Sequence, residues 1–159
     1  MNNSATFIRD LAGDPLNADL HLSYATELLN NGRPYLAFAE MKTAESLGEG
    51  RYAKLIANKF IRALPQQELL SHNQYFRLHS LASEIISRGG PELSVLDVGG
   101  GQGELASLIP EYGYCLAEPT ANGISGADLP FDDGSFDFSL SCHVLEHIPP
   151  EKRDLFLDQ

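Results

Sequence analysis

The sequence predicts an α/β chain in two parts, an all-helical region followed by the beginning of a doubly wound parallel sheet. Three observations carry this prediction. Apolar residues recur at helical spacing from Leu20 to Ile86. The short β-rich run Ser94-Val95-Leu96-Asp97-Val98 then leads into Gly99-Gly100-Gly101-Gln102-Gly103 and a short helical stretch, the first unit of such a sheet. Charge divides at the same place. Residues 1–90 carry nine basic and nine acidic side chains, whereas residues 91–159 carry Lys152 and Arg153 against thirteen acids.

The 159 residues have a net charge of −11, with 43% hydrophobic and 21% charged residues, a globular balance that fits one domain or two small ones. The acidic half lacks the basic footprint that phosphate contacts need, so nucleic acid is not an expected partner. No apolar run approaches the roughly 18–20 residues of a membrane helix, and the opening MNNSATFIRD has no apolar signal core. The expected location is cytoplasmic, with no membrane partner. Cys115 and Cys142 are too few for a disulfide framework or a four-cysteine zinc site. Composition changes near Arg88-Gly89-Gly90-Pro91. The expected organisation is a helical region 1–64, a linking amphipathic helix 65–90 and a partial sheet domain 91–159.

In the helical region, Leu20, Tyr24, Ala25, Leu28 and Leu29 line one face of a helix. Asn30-Asn31-Gly32 supplies a stop, with Gly32 suited to a left-handed cap. Pro34 fits the first turn of a second helix, which shows Leu36, Ala37, Met41 and Ala44 on one side and ends at Gly48. So short a turn makes the pair an antiparallel hairpin. Ala25, Gly32, Ala37 and Ala44 are spaced 7, 5 and 7 apart, and on these intervals Asn17 to Glu49 resembles a tetratricopeptide repeat. It departs at His21, where that family has a large apolar residue, and only one clear copy is visible. Two readings stay open: a module that binds a protein partner, or a helical bundle packed on the second half. A further helix is expected at about 51–64, and another over 67–88, built on Leu69, Leu70, Phe76, Leu78, Leu81, Ile85 and Ile86. Ser71, His72 and Asn73 interrupt the latter. Its polar residues His72, Tyr75, Arg77 and His79 are read as surface or interface groups before pocket-lining ones.

The glycine turn carries the chemistry. Glycines let a turn be tight and let a ligand approach the backbone with no Cβ in the way. The helical stretch Glu104 to Ile109 stops at Pro110, and its first amides would face the ligand. A second strand runs from Tyr112 to Ala117 and ends in Glu118, 21 residues after Asp97. An acid at that tip can accept hydrogen bonds from both hydroxyls of a ribose. Gly101-Gln102-Gly103-Glu104-Leu105-Ala106 also matches the dinucleotide fingerprint, so a nicotinamide cofactor is an alternative. Against it stands Asp97: a pyrophosphate gains nothing from an acid there, whereas a cofactor with a sulfonium and an ammonium group does.

Val95-Leu96-Asp97-Val98-Gly99-Gly100-Gly101-Gln102-Gly103 resembles the first motif of class I S-adenosylmethionine-dependent methyltransferases. Asp128-Leu129-Pro130-Phe131-Asp132-Asp133-Gly134-Ser135-Phe136-Asp137 resembles the segment before the fourth strand of that family. Phe138 to Cys142 would be that strand, and His143-Val144-Leu145-Glu146-His147-Ile148-Pro149-Pro150 the loop after it. The resemblance covers residues 91 to 159 and implies an incomplete Rossmann-like domain, strands one to four only, with S-adenosyl-L-methionine as cofactor. It implies that Gly99, Gly101 and Gly103 form the loop under the methionine moiety, that Asp97 anchors that loop or the cofactor amino group, and that Glu118 holds the ribose. Asp128 is the candidate for the adenine edge, with Leu129 packing on the ring. Only nine residues separate Glu118 from Asp128. Pro119 to Ala127 must therefore be a compressed crossover, and Ser125 or nearby backbone is an alternative adenine contact.

His143-Val144-Leu145-Glu146-His147 also matches H-x-x-E-H, a zinc pattern when both histidines share a helical face. The following Ile148-Pro149-Pro150 argues against a regular helix, and no metal is expected. His143 and His147 are the candidate catalytic residues, with His143 the better general base. The expected function is methyl transfer by in-line displacement to an unidentified acceptor. The alternative is a helical interaction module with a vestigial nucleotide site. Strands five to seven of the family are missing, so the reading is a fragment, a truncated chain or one that self-associates through an exposed sheet edge.

Overall fold

The computed structural model describes residues 4–49, 51–52, 55–64 and 70–157. The first helix, α1 (Ser4–Gly13), lies within the helical region expected over 1–64, but the sequence does not mark it as a separate helix. Its Leu11 is fully buried against the helices that follow. Helix α2 (Ala18–Asn30) starts at Asn17, whose side-chain oxygen accepts the Leu20 amide at 3.0 Å. It stops where Gly32 turns left-handed, φ +72°, and the Arg33 amide reaches back to the Leu28 carbonyl at 3.0 Å. Helix α3 (Pro34–Leu47) then packs on α2. The predicted hairpin is therefore present.

The surroundings of α3 differ from the one apolar side that its sequence shows. Residues Leu36 through Ala44 are all buried, Glu40, Lys42 and Thr43 included. Along this stretch the helix lies between α2 and the sheet, so no face of it is left for water. This placement favours the second reading of the helical region, a bundle packed on the C-terminal half. Helix α4 (Leu55–Ala63) falls within the stretch expected to be helical and contributes Phe60 to the core. Helix α5 (His72–Arg88) begins at Ser71 with a capping box to Gln74. The polar interruption at Ser71 to Asn73 is thus a helix start and not a break. The remainder of that expectation, residues 67–69 with Leu69, lies outside the described residues.

Strands β1 (Ser94–Val98), β2 (Gly113–Ala117) and β3 (Phe138–Ser141) form a parallel sheet in the order β2-β1-β3. Ser94 pairs with Gly113 and Val95 with Phe138. The side chains alternate between faces as strand geometry requires. Val95, Tyr114 and Leu116 join the cluster beneath the helices, while Leu96, Val98, Cys115 and Ala117 join a second cluster with Ile124. Residues 104–108 form a 3-10 turn in place of the expected helix. Five residues make too short an element for a helix-end anion site, which removes that part of the expectation. The third strand is also absent among the described residues. Between β2 and β3 the chain makes turns and one isolated bridge, Ser125 with Asp128, so Pro119 to Ala127 is a compressed crossover and the sheet has three strands. Asp137, the last residue of the motif before β3, accepts the Ser94 amide at 2.8 Å and the Ser94 hydroxyl at 2.9 Å, and so ties the start of β3 to the start of β1.

The outer edge of β2, where a third strand would pair, is closed by side chains. The Leu116 amide donates to Thr43 Oγ1 at 3.1 Å and the Tyr114 amide to Ser46 Oγ at 3.1 Å. Ser46 Oγ donates back to the Tyr114 carbonyl, and Asn122 Nδ2 donates to the Leu116 carbonyl at 2.8 Å. Helix α3 and the crossover thereby satisfy backbone groups that would otherwise be buried without partners. Beneath this edge lies a closed polar cluster of His21, Glu40 and Asn122, all fully buried. His21 Nδ1 stands 2.6 Å from Glu40 Oε2 and its Nε2 stands 2.9 Å from the Pro15 carbonyl. Both ring nitrogens face oxygen atoms, an arrangement that favours the doubly protonated ring. Burial pushes the His21 pKa down, but the hydrogen bond and charge of Glu40, helped by the Pro15 carbonyl, outweigh it and hold His21 above its ordinary value. The departure of His21 from the repeat pattern is explained by this pair.

Candidate functional site

In a doubly wound sheet, ligands bind beyond the carboxyl ends of the strands, where neighbouring chain connections diverge. Here that place is the end of β1, flanked by β2 on one side and β3 on the other. Two cavities open there, and both are lined by Gly99 and His143. The first, about 300 Å³, lies between α5 and the glycine turn, with Arg77, Asp97 and Gly101 in its wall. The second, about 420 Å³, lies between the end of β2 and the loop after β3, with Glu118, Ser125 and His147 in its wall.

Asp97 points to the helical face of the sheet, because Val95 does and strand side chains repeat every second residue. Its carboxylate lies under the turn, so a Cβ on Gly100 would come within 2.3 Å of Oδ2. The Tyr114 hydroxyl donates to Oδ2 at 2.7 Å. Burial raises the Asp97 pKa to about 6. The Tyr114 hydrogen bond opposes this, and the charges of Glu104 and Glu118 add to it. A nearby cation would relieve the strain on this carboxylate.

Gly99, Gly101 and Gly103 all have positive φ, but they do different work. Gly101, φ +62°, faces open space, so its backbone is approachable from the first cavity. Gly103, φ +70°, is buried, and a Cβ there would come within 2.3 Å of Ala39 Cβ on α3. The third glycine of the motif thus permits close packing of the turn on the N-terminal helix and lies outside the lining of both cavities. Cys115 is buried beside this edge, and burial pushes its thiol up to about 12, so it is not a nucleophile.

Glu118 stands just past β2 and lines the second cavity. The Thr120 amide and hydroxyl donate to its Oε1 at 3.0 and 2.6 Å, and its own amide donates to Asn122 Oδ1 at 3.1 Å. Asn122 in turn donates to Glu40 Oε1 at 3.0 Å, so the buried cluster fixes the backbone that carries Glu118. Asp128 and Leu129 are placed elsewhere. Asp128 is exposed, and Leu129 packs with Phe131 and Phe136 along a separate cleft. Ser125 and Gly126 occupy the wall of the second cavity that the sequence reading assigned to that pair. The compressed crossover is the reason: with no third strand, the chain reaches the cavity three residues early.

His143 follows β3 with φ +60°, a conformation uncommon outside glycine and found at strained functional positions. Its Nδ1 lies 3.2 Å from Glu146 Oε1, and His147 lines the second cavity. Residues Leu145–His147 form a single 3-10 turn, so no α-helix carries the two histidines on a shared face. Arg77, on α5, lines the first cavity; His72, Tyr75 and His79 do not.

Residues 96–158 match the family described as methyltransferase domain. Three relatives bear the name uncharacterized methyltransferase. The one from Mycobacterium sp. (strain KMS) is 38% identical over 73 residues, covering 35% of this chain and 29% of the relative. The one from Mycolicibacterium gilvum (strain PYR-GCK) is 39% identical over 75 residues, with the same coverage. The one from Mycobacterium marinum (strain ATCC BAA-535 / M) is 37% identical over 75 residues, again with the same coverage. The chain thus spans about three tenths of the length of these relatives. No solved structure matches. Among the described residues no helix is long and apolar enough to cross a membrane. The glycine turn after β1, the parallel order β2-β1-β3 and the family match agree: residues 96–158 are similar to a methyltransferase domain and form an incomplete Rossmann-like sheet.

Proposed function

We propose that this protein binds S-adenosyl-L-methionine across the two cavities that meet at Gly99 and His143, and that it methylates an acceptor not yet identified. The observation that carries the reading is the pairing of acids: Asp97 in the wall of one cavity and Glu118 in the wall of the other, on adjacent strand ends. The residues fit the group. Asp97 is a buried carboxylate whose raised pKa asks for a cation, and Gly101 offers backbone with no side chain in front of it. Asp97 would hold the amino group, Glu118 the ribose hydroxyls, and Ser125 with the backbone at Gly126 the adenine edge. When bound, the cofactor supplies an electrophilic methyl group on a sulfonium.

The remaining work falls to the loop after β3. The Glu146 carboxylate accepts from His143 Nδ1, which leaves His143 Nε2 as the nitrogen that would take a proton from the acceptor. His147 shares the wall of the second cavity and would serve to exclude water. The outer edge of β3, unpaired among the described residues, is the surface through which the chain would self-associate.

Calorimetry with S-adenosylmethionine tests the reading. The folded protein should bind it, and Asp97→Ala and Glu118→Ala should each weaken binding by about tenfold or more. Absence of binding by the folded protein, or full binding by both variants, overturns it.

A further inference from the structure

One wall of the second cavity is a crossover that the N-terminal helices grip from behind. Glu118, Pro119, Thr120, Ser125 and Gly126 line the cavity, while Ala121, Asn122 and Ile124 are buried and lie outside its lining. Each of the first three helices meets this buried stretch at a different residue. From α2, the buried Tyr24 hydroxyl donates to the Ala121 carbonyl at 2.9 Å. From α3, Glu40 Oε1 accepts from Asn122 Nδ2 at 3.0 Å, and Glu40 is itself held by His21 of α2 at 2.6 Å. Helix α1 packs so closely on Gly123, φ +80°, that a Cβ there would come within 2.6 Å of the Ile8 carbonyl oxygen.

The grip reaches the cavity through Asn122. Its Oδ1 accepts the Glu118 amide at 3.1 Å and the Ile124 amide at 3.3 Å, so one side chain sets both ends of the buried stretch. A crossover without a strand ladder takes its backbone geometry from such contacts. A displacement of about 1 Å in a binding group is enough to weaken a site, so what holds the group matters as much as the group. Resting on the proposed cofactor reading, we propose that Tyr24, His21 and Glu40 are positioning residues for Glu118. None of the three lines either cavity. They act on the ligand only by holding the crossover that carries the ribose-binding acid. All three precede the segment that matches the methyltransferase family, residues 96–158. The helical region therefore sets the ribose contact as well as covering the sheet edge.

Calorimetry with S-adenosylhomocysteine on the whole protein tests this. Tyr24→Phe removes one hydroxyl and keeps the ring that stacks on Phe7. The fold should survive, which far-ultraviolet circular dichroism checks, and binding should weaken by about threefold or more. Glu40→Ala should weaken it by about tenfold or more. Glu40→Gln should recover most of that loss, because its amide still accepts from Asn122 and still pairs with His21. In a Glu118→Ala background, Tyr24→Phe and Glu40→Ala should each cost no more than about twofold further, since the group they position is gone. A folded Tyr24→Phe protein that binds as the native one does overturns the inference while the cofactor reading stands. So does a loss that repeats in full without Glu118, because the helices would then act on the fold and not on that acid. Glu118→Ala protein that binds as tightly as the native one removes the role of Glu118 and the inference with it. Native protein that does not bind fails the reading and the inference together.

Discussion

Two polar regions flank the start of the sheet, and they are built in opposite ways. Under the β2 edge, His21, Glu40, Asn122 and Thr43 are buried and each is hydrogen-bonded. Around the end of β1, Asp97 has a single hydroxyl partner, Arg77 has none among the described residues, and His143 holds a left-handed backbone. The first region is complete without a ligand and contributes stability. The second is left unmatched, which costs stability in the empty protein and is the usual condition of a binding site. The two are joined through Asn122, which links Glu40 to the backbone of Glu118.

This contrast can be broken most strongly at Glu40. Glu40→Ala leaves a buried imidazolium and the Asn122 amide without their partner, and should destabilise by about 3–5 kcal/mol in chemical denaturation. It should also loosen the backbone at Glu118. A loss under 1 kcal/mol would mean that the cluster is not the closed unit described.

Asp97→Asn should act with the opposite sign. The Asp97 pKa is raised from 3.8 to about 6, so the group favours folding below its unfolded value, and that contribution is lost as pH rises through 6. At neutral pH the neutral amide should therefore stabilise the empty protein by about 1–3 kcal/mol, while ligand binding falls. In the native protein, affinity for an ammonium-bearing ligand should drop as pH falls below about 6. Calorimetry between pH 5 and 8 measures it.

Thr43→Val sharpens the comparison at the edge itself. It leaves the Leu116 amide without an acceptor and should cost about 1–3 kcal/mol. Hydrogen exchange at Leu116 should accelerate more than exchange in β1. The smallest expected effect is a pH trend. His21 has a raised pKa, so its contribution is present below the ordinary value of 6.5 and is lost as pH rises through the folded value. Thermal denaturation across that range should show stability falling on the alkaline side in the native protein, and no such fall in His21→Gln.

The local signals were legible where the chain carries its own punctuation. Asn17, Gly32, Pro34 and Ser71 mark helix ends with residues whose side chains or backbone freedom do that work locally, and the glycine turn after β1 reads the same way. The run Ser94 to Val98 and the acid after β2 were placed correctly for the same reason. Helix α1 lies within the helical region expected over 1–64, but the sequence did not mark it as a separate helix. The one-sided reading of α3 failed because Thr43, Lys42 and Glu40 look like solvent residues until a β2 edge is placed against them.

The amino-acid order alone thus determined the hairpin of α2 and α3, the three strands that form and the pair of acids at their ends, because caps, glycines and period-two runs act over a few residues. Tertiary structure decided the rest. It assigned Gly103 to packing against Ala39, moved the second cavity's wall from Asp128 to Ser125, and turned a helical hairpin into the cover of a strand edge. It also brought Arg77 of α5 to the glycine turn. Each of these depends on groups tens of residues apart, whose meeting is set by how buried surfaces and unpaired backbone groups are satisfied together.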